Sequence, residues 1–158
     1  MDSKLEILNQ LQQRNIAGRI HRFSRILSSL SEHRWATDGF PEVRSGHVQL
    51  LSNVDPEGTR NTVLAQRAQI TKQTMGRLVR ELTESGYVFV LPDPIDRRAQ
   101  QVQLTERGKS FLSYLATTLI ELETAFSKVV GAEKWSEFTT TFYKLLTFVE
   151  SRQQQLGI

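Results

Sequence analysis

Five cations, Arg60, Arg67, Lys72, Arg77 and Arg80, stand between positions 60 and 80 with no carboxylate among them, in a 158-residue chain that holds 17 Asp and Glu. A run of this kind suits an anionic partner better than it suits a reaction. Arginine can set two donors on guanine, glutamine can pair with adenine, and a threonine methyl can meet the methyl of thymine. Gln73, Thr74, Arg77 and Arg80 supply those types and are the candidates for reading base edges. Arg60, Thr71 and Lys72 complete the candidate surface, and the backbone amides after Thr71 suit a phosphate. Taken alone, a basic helix face is explained as well by solvation. What flanks it decides.

Reaction chemistry has little to stand on. The chain has no cysteine, which excludes disulfides, thiolate metal sites and thiol redox sensing. His21, His33 and His47 lack short metal-ligand spacing, and Asp93 and Asp96 have no third ligand or base beside them. No cofactor fingerprint or nucleophile–base pair is present, so no enzyme, cofactor or metal is expected. A net charge of +3 and a pI near 9.4 permit a nucleic-acid partner without demanding one. The polar start and the lack of an apolar run near the ~20 residues of a membrane span predict a cytoplasmic protein with no membrane partner.

The elements that must hold these residues follow from periodicity and punctuation. Ile16, Ile20, Phe23, Leu27 and Leu30 fall on one stripe of a helix expected from about Leu5 to Leu30. After a loop with Gly39 and Pro41, a second helix is expected from an N-cap at Ser45 to about Val54. The turn Asp55-Pro56-Glu57-Gly58 leads to two short helices, one capped by Asn61 and one from a Thr71 cap to about Ser85, stopped by Gly86. Tyr87 to Leu91 and Gln101 to Leu104 read as two strands, and Thr105 caps a long helix that breaks at Gly131 before a last one. At about 100° per residue, Met75, Leu78, Val79 and Leu82 share one side of the Thr71 helix, opposite Gln73, Arg77 and Arg80. The expected fold is mainly α with a small β-hairpin wing: a winged helix-turn-helix plus a helical dimerisation region. Its parts are an N-terminal dimerisation helix over 1–35, the winged helix-turn-helix over 36–108, and C-terminal dimerisation helices over 109–158. Gly76, mid-helix, either permits close approach or is merely tolerated, while Gly108 relieves packing at the base of the wing.

Two stretches resemble the MarR family of transcription regulators. The run from Ile70 to Leu82, followed by Glu84-Ser85-Gly86-Tyr87-Val88, looks like that family's recognition helix. Asp93-Pro94-Ile95-Asp96-Arg97-Arg98, then Leu104-Thr105-Glu106-Arg107-Gly108, resembles its wing signature. The resemblance implies an obligate homodimer on a pseudo-palindromic operator in double-stranded DNA, and repression relieved by a small ligand or other signal. It also implies an effector pocket between dimer body and winged lobe. By position His21, Arg25, Trp35, Phe40 and His47 are its candidates, with a phenolic or aromatic acid as the ligand.

At the wing, Arg98 is the candidate for the minor groove, where narrow A·T-rich stretches concentrate negative potential. Asp96 is placed to hold its guanidinium, and Arg97 to meet phosphate. An exposed ion pair of ~0–1 kcal/mol is the plain alternative. Apolar stripes in the first helix and the two C-terminal helices exceed what a small winged lobe covers, and their burial across a two-fold favours a dimer. The basic first helix would face carboxylates such as Glu121, Glu123, Glu133, Glu137 and Glu150. The competing function is a winged-helix protein-interaction module without specific DNA binding.

Overall fold

Asn15 sits in extended backbone and its Oδ1 accepts the Gly18 N–H at 2.6 Å, meeting one donor that a helix start leaves unpaired. In the computed structural model, which describes residues 6, 15–93, 96 and 99–156, helix α1 therefore runs over Ile16–Thr37. It continues past the expected end near Leu30, because the buried Trp35 gives its last turns a core contact. The expected start at Leu5 lies outside the described residues.

Next come α2 (Ser45–Leu51), β1 (Thr59–Arg60), α3 (Asn61–Arg67), α4 (Lys72–Glu84), β2 (Val88–Pro92), β3 (Gln100–Leu104), α5 (Glu106–Val130) and α6 (Ala132–Leu156). Two expected caps shift by one residue. At α2 the capping residue is Arg44, whose N–H is taken by His47 Nδ1 at 3.1 Å. Ser45 instead turns its N–H and hydroxyl to Glu32 Oε1, at 2.7 and 2.8 Å. At α3 the cap is Arg60, held extended by β1, so Asn61 is the first helical residue. Thr71 caps α4 as its type predicts, accepting the Thr74 N–H at 3.1 Å.

The wing is a three-stranded antiparallel sheet in the order β1-β3-β2, with Thr59 opposite Val102 and Phe89 opposite Gln103. The two-residue β1 was not expected; a strand so short leaves no periodic signal. Gly86 takes φ +76 where α4 ends, a conformation in which a Cβ is strained. Gly108 answers a closer constraint, since a methyl there would strike the Tyr87 carbonyl oxygen.

The chain divides into two compact units between Leu112 and Ser113. The first has its core in Val43, Leu50, Leu51, Leu64, Met75, Leu82, Val88 and Val102, all at most 2% exposed. An aromatic cluster adjoins it: Trp35, Phe40 and Tyr87 each meet the ring of Phe111 at 5.5, 5.2 and 6.3 Å, all edge-on. In the second unit Trp135 Nε1 donates to Glu123 Oε2 at 2.9 Å, and Trp135, Phe138 and Phe142 stack in sequence along α6. No described side chain of α6 is buried. Among the described residues no helix is long and apolar enough to cross a membrane.

Candidate nucleic-acid interface

Helix α4 is oriented by its underside. Met75, Leu78, Val79 and Leu82 are buried, so the opposite face is turned out by the core itself. Lys72, Gln73, Arg77 and Arg80 are exposed on that outer side and Thr74 is half-buried at its edge. The turn from α3 is closed by Ile70 N–H on the Ala65 carbonyl at 3.0 Å, with Gln69 at φ 53, a left-handed conformation uncommon outside glycine. A methyl at Gly76 would meet only Asn61 Nδ2 at 3.8 Å, an ordinary contact. Packing within the chain therefore does not require the glycine, and close approach to a neighbouring helix is not its role.

The acid-free run is less bare in space than along the chain. Arg60 lays Nε and Nη2 on the two oxygens of Asp93, at 2.6 and 2.8 Å. Arg67 Nη1 reaches the Asn53 carbonyl at 2.8 Å and Asp55 Oδ1 at 2.9 Å. Arg77 Nη1 donates to Glu81 one turn on. Among the described residues Lys72 and Arg80 make no side-chain hydrogen bond or ion pair. The surface thus has two unpaired cations beside three that are held within the chain.

Asp93 is the residue that sequence reasoning undervalued. The sequence offers it as the start of the wing signature and as a carboxylate without a catalytic or metal partner, yet it is 2% exposed and knits the wing together. Besides Arg60 it accepts the Asp96 N–H at 2.8 Å and Gln101 Nε2 at 3.2 Å, and its own N–H meets the Ala99 carbonyl at 3.0 Å. The hydrogen bond to Asp93 is the chief reason the Arg60 guanidinium is raised above its ordinary value. Its sequence signal was the start of the Asp-Pro-Ile-Asp turn, a setting in which a carboxylate commonly caps backbone amides. Asp96 contributes through its backbone, accepting the Ala99 N–H at 2.8 Å, while its side chain is exposed. Arg97 and Arg98, the candidates for phosphate and minor groove, lie outside the described residues.

The five effector candidates separate. His21 and Arg25 are exposed on α1. Trp35 and Phe40 meet through Phe111 in the aromatic cluster. His47 is 5% exposed and uses both ring nitrogens, Nδ1 on the Arg44 N–H and Nε2 on Glu81 Oε2 at 2.8 Å. Three of the five are thus engaged in packing or hydrogen bonds. Among the described residues no group of His, Asp and Glu is assembled for a metal.

Residues 44–99, from the cap of α2 to the wing, match the model of the MarR family. That segment is similar to the MarR family. The transcriptional activatory protein BadR of Rhodopseudomonas palustris is 26% identical over 161 residues, covering 97% of this chain and 84% of BadR. A MarR transcriptional regulator from Methanosarcina mazei Go1 superposes with a TM-score of 0.73 at 22% identity, over 86% of this chain and 96% of that one. Streptococcus pneumoniae FabT, in a structure with DNA, gives a TM-score of 0.74 at 13% identity, again over 86% and 96%. These likenesses carry the MarR fold across nearly the whole chain.

Proposed function

We propose that this protein, whose winged segment is similar to the MarR family, is a sequence-specific regulator of transcription that binds duplex DNA as a homodimer. The observation that carries the proposal is the two-sidedness of α4, apolar below and bearing Lys72, Gln73, Arg77 and Arg80 above. Held outward on a helix that follows a tight turn, those side chains suit the major groove. FabT, of the same fold, is recorded with DNA, which supports this use of the fold. The dimer is supported by unburied apolar side chains on helices at both ends of the chain. Ile16 is 68% and Leu30 63% exposed on α1, Leu145 54% and Val149 60% on α6. Covering such surface is what favours association.

The test is a titration of the full chain against duplexes selected from a randomised pool, compared with scrambled duplexes over a range of salt. The expected result is preference for two symmetric half-sites about one helical turn apart, with affinity falling steeply as salt rises. Equal binding to scrambled duplex, or none, would favour the protein-interaction module. The proposed sign is repression, so deletion should raise transcription of the bound genes; a fall would align the protein with BadR, an activator by name. A phenolic or aromatic acid is the proposed effector, with His21 and Arg25 as the polar groups still open to it. Failure of such acids to release the duplex would remove that part.

A further inference from the structure

We propose that Glu81, held by the buried His47, positions the guanidinium of Arg77 and thereby sharpens the preference Arg77 has for one base pair. The inference rests on the role given above to α4. An exposed Arg–Glu pair one turn apart on a helix contributes little and by itself fixes little. This pair differs because its carboxylate is anchored from the other side.

His47 Nδ1 accepts the Arg44 N–H at 3.1 Å, so the proton of the neutral ring sits on Nε2, which donates to Glu81 Oε2 at 2.8 Å. The other oxygen, Oε1, accepts from Arg77 Nη1. The bond from His47 is the chief reason the Glu81 carboxyl lies below its ordinary value. The anchor itself is fixed, since the His47 side chain is 7% exposed and lies in the first turn of α2. That turn is tied in its turn to α1 through Ser45 and Glu32. Arg77 stays 57% exposed with its remaining donors free of this contact, so it can meet a base edge while one nitrogen is held. A long side chain restrained before binding loses less freedom on binding, and restraint in one pose favours one partner geometry.

Two variants separate positioning from mere structure. Glu81→Gln keeps an oxygen for His47 but puts an amide donor or nothing toward Arg77, at a partly exposed site where folding should survive. His47→Ala removes the anchor. Each is measured against duplexes carrying every base pair at each operator position, in the parent and in an Arg77→Ala background. Arg77→Ala alone should flatten the preference at one base pair per half-site by about tenfold. Glu81→Gln and His47→Ala should each reduce that same preference by roughly threefold, and change nothing further once Arg77 is gone. If Arg77→Ala flattens a base pair while the other two variants weaken all duplexes alike, or keep their effect without Arg77, positioning is refuted and the role of Arg77 stands. If Arg77→Ala leaves every preference intact, its base-reading role fails and positioning falls with it. Should His47→Ala not fold, Glu81→Gln decides alone.

Discussion

Among the described residues two groups of aromatic rings, built from nearly the same ring types, end in opposite states. Trp35 and Phe40 from around the end of α1, Tyr87 and Phe111 come from three separate segments and close around Phe111, which is 0% exposed. Phe126, Trp135, Phe138 and Phe142 come from consecutive turns of α5 and α6 and form a ladder rather than a ball. Phe138 remains 53% and Phe142 37% exposed. Rings gathered from distant segments can surround one another, whereas the rings along α6 stack in sequence and leave one side of the stack bare. The first quartet is therefore completed by its own chain, whereas the second stays open, as the proposed dimer requires.

The largest expected effect is in the closed quartet. Phe111→Ala should cost ~3–5 kcal/mol, because three neighbouring rings lose their common partner and cannot all collapse into the space. Denaturant unfolding should show the loss at every protein concentration; a loss under 1 kcal/mol by order of magnitude would mean the cluster is looser than its edge-on geometry indicates. Phe142→Glu should act differently, placing a charge on the bare side of the ladder. The expected outcome is a smaller particle in analytical ultracentrifugation, and a melting temperature that no longer rises with protein concentration. A Phe142→Glu protein still associating like the parent would show that the open ladder is not a dimer surface.

The same contrast explains what the sequence made legible. Periodicity exposed α4 in full, because Met75, Leu78, Val79 and Leu82 recur at helical spacing and all four are buried. It also exposed the apolar stripes of the first and the two C-terminal helices, since apolar spacing is a local property. The distant partners at this surface were not legible, although Arg77 and Glu81 stand one turn apart. Arg60 finds Asp93 across 33 positions and His47 finds Glu81 across 34, separations at which no local pattern operates. A gap in the carboxylates along the chain was thus no guide to charge in space. The caps at Ser45 and Asn61 slipped by one for a related reason. Ser45, of good capping type, is drawn to Glu32 thirteen positions back, while His47 takes the Arg44 N–H within the same turn.

The smallest expected effect sharpens the comparison through pH, because only the closed quartet contains an ionisable ring. Tyr87 donates to Glu42 Oε2 at 2.9 Å, and Arg107 reaches the same oxygen at 2.8 Å while lying 4.5 Å over the Tyr87 ring. Burial alone would raise the Glu42 carboxyl, but hydrogen bonds from its own backbone, Tyr87 and Arg107 outweigh it and hold it below the ordinary 4.5. Tyr87 is pushed up to about 12, first by burial and then by its bond to Glu42. A carboxyl depressed on folding stabilises above its unfolded value and loses that contribution as pH falls through the folded one. A phenol raised on folding stabilises below its unfolded value of 10.0 and loses that contribution as pH rises through about 12. The clip should therefore stabilise fully between 4.5 and 10.0, and decline on both sides. Denaturant midpoints across pH should show Glu42→Gln with a shallower acid limb than the parent. That limb will persist in part, because Glu32 and Glu81 are depressed as well. Tyr87→Phe should lose the alkaline limb assigned to the ring, while Phe142→Glu should keep it, since the open ladder has only Trp and Phe rings. An alkaline limb that survives Tyr87→Phe unchanged would show that some other group ionises there and that the closed quartet is not what titrates.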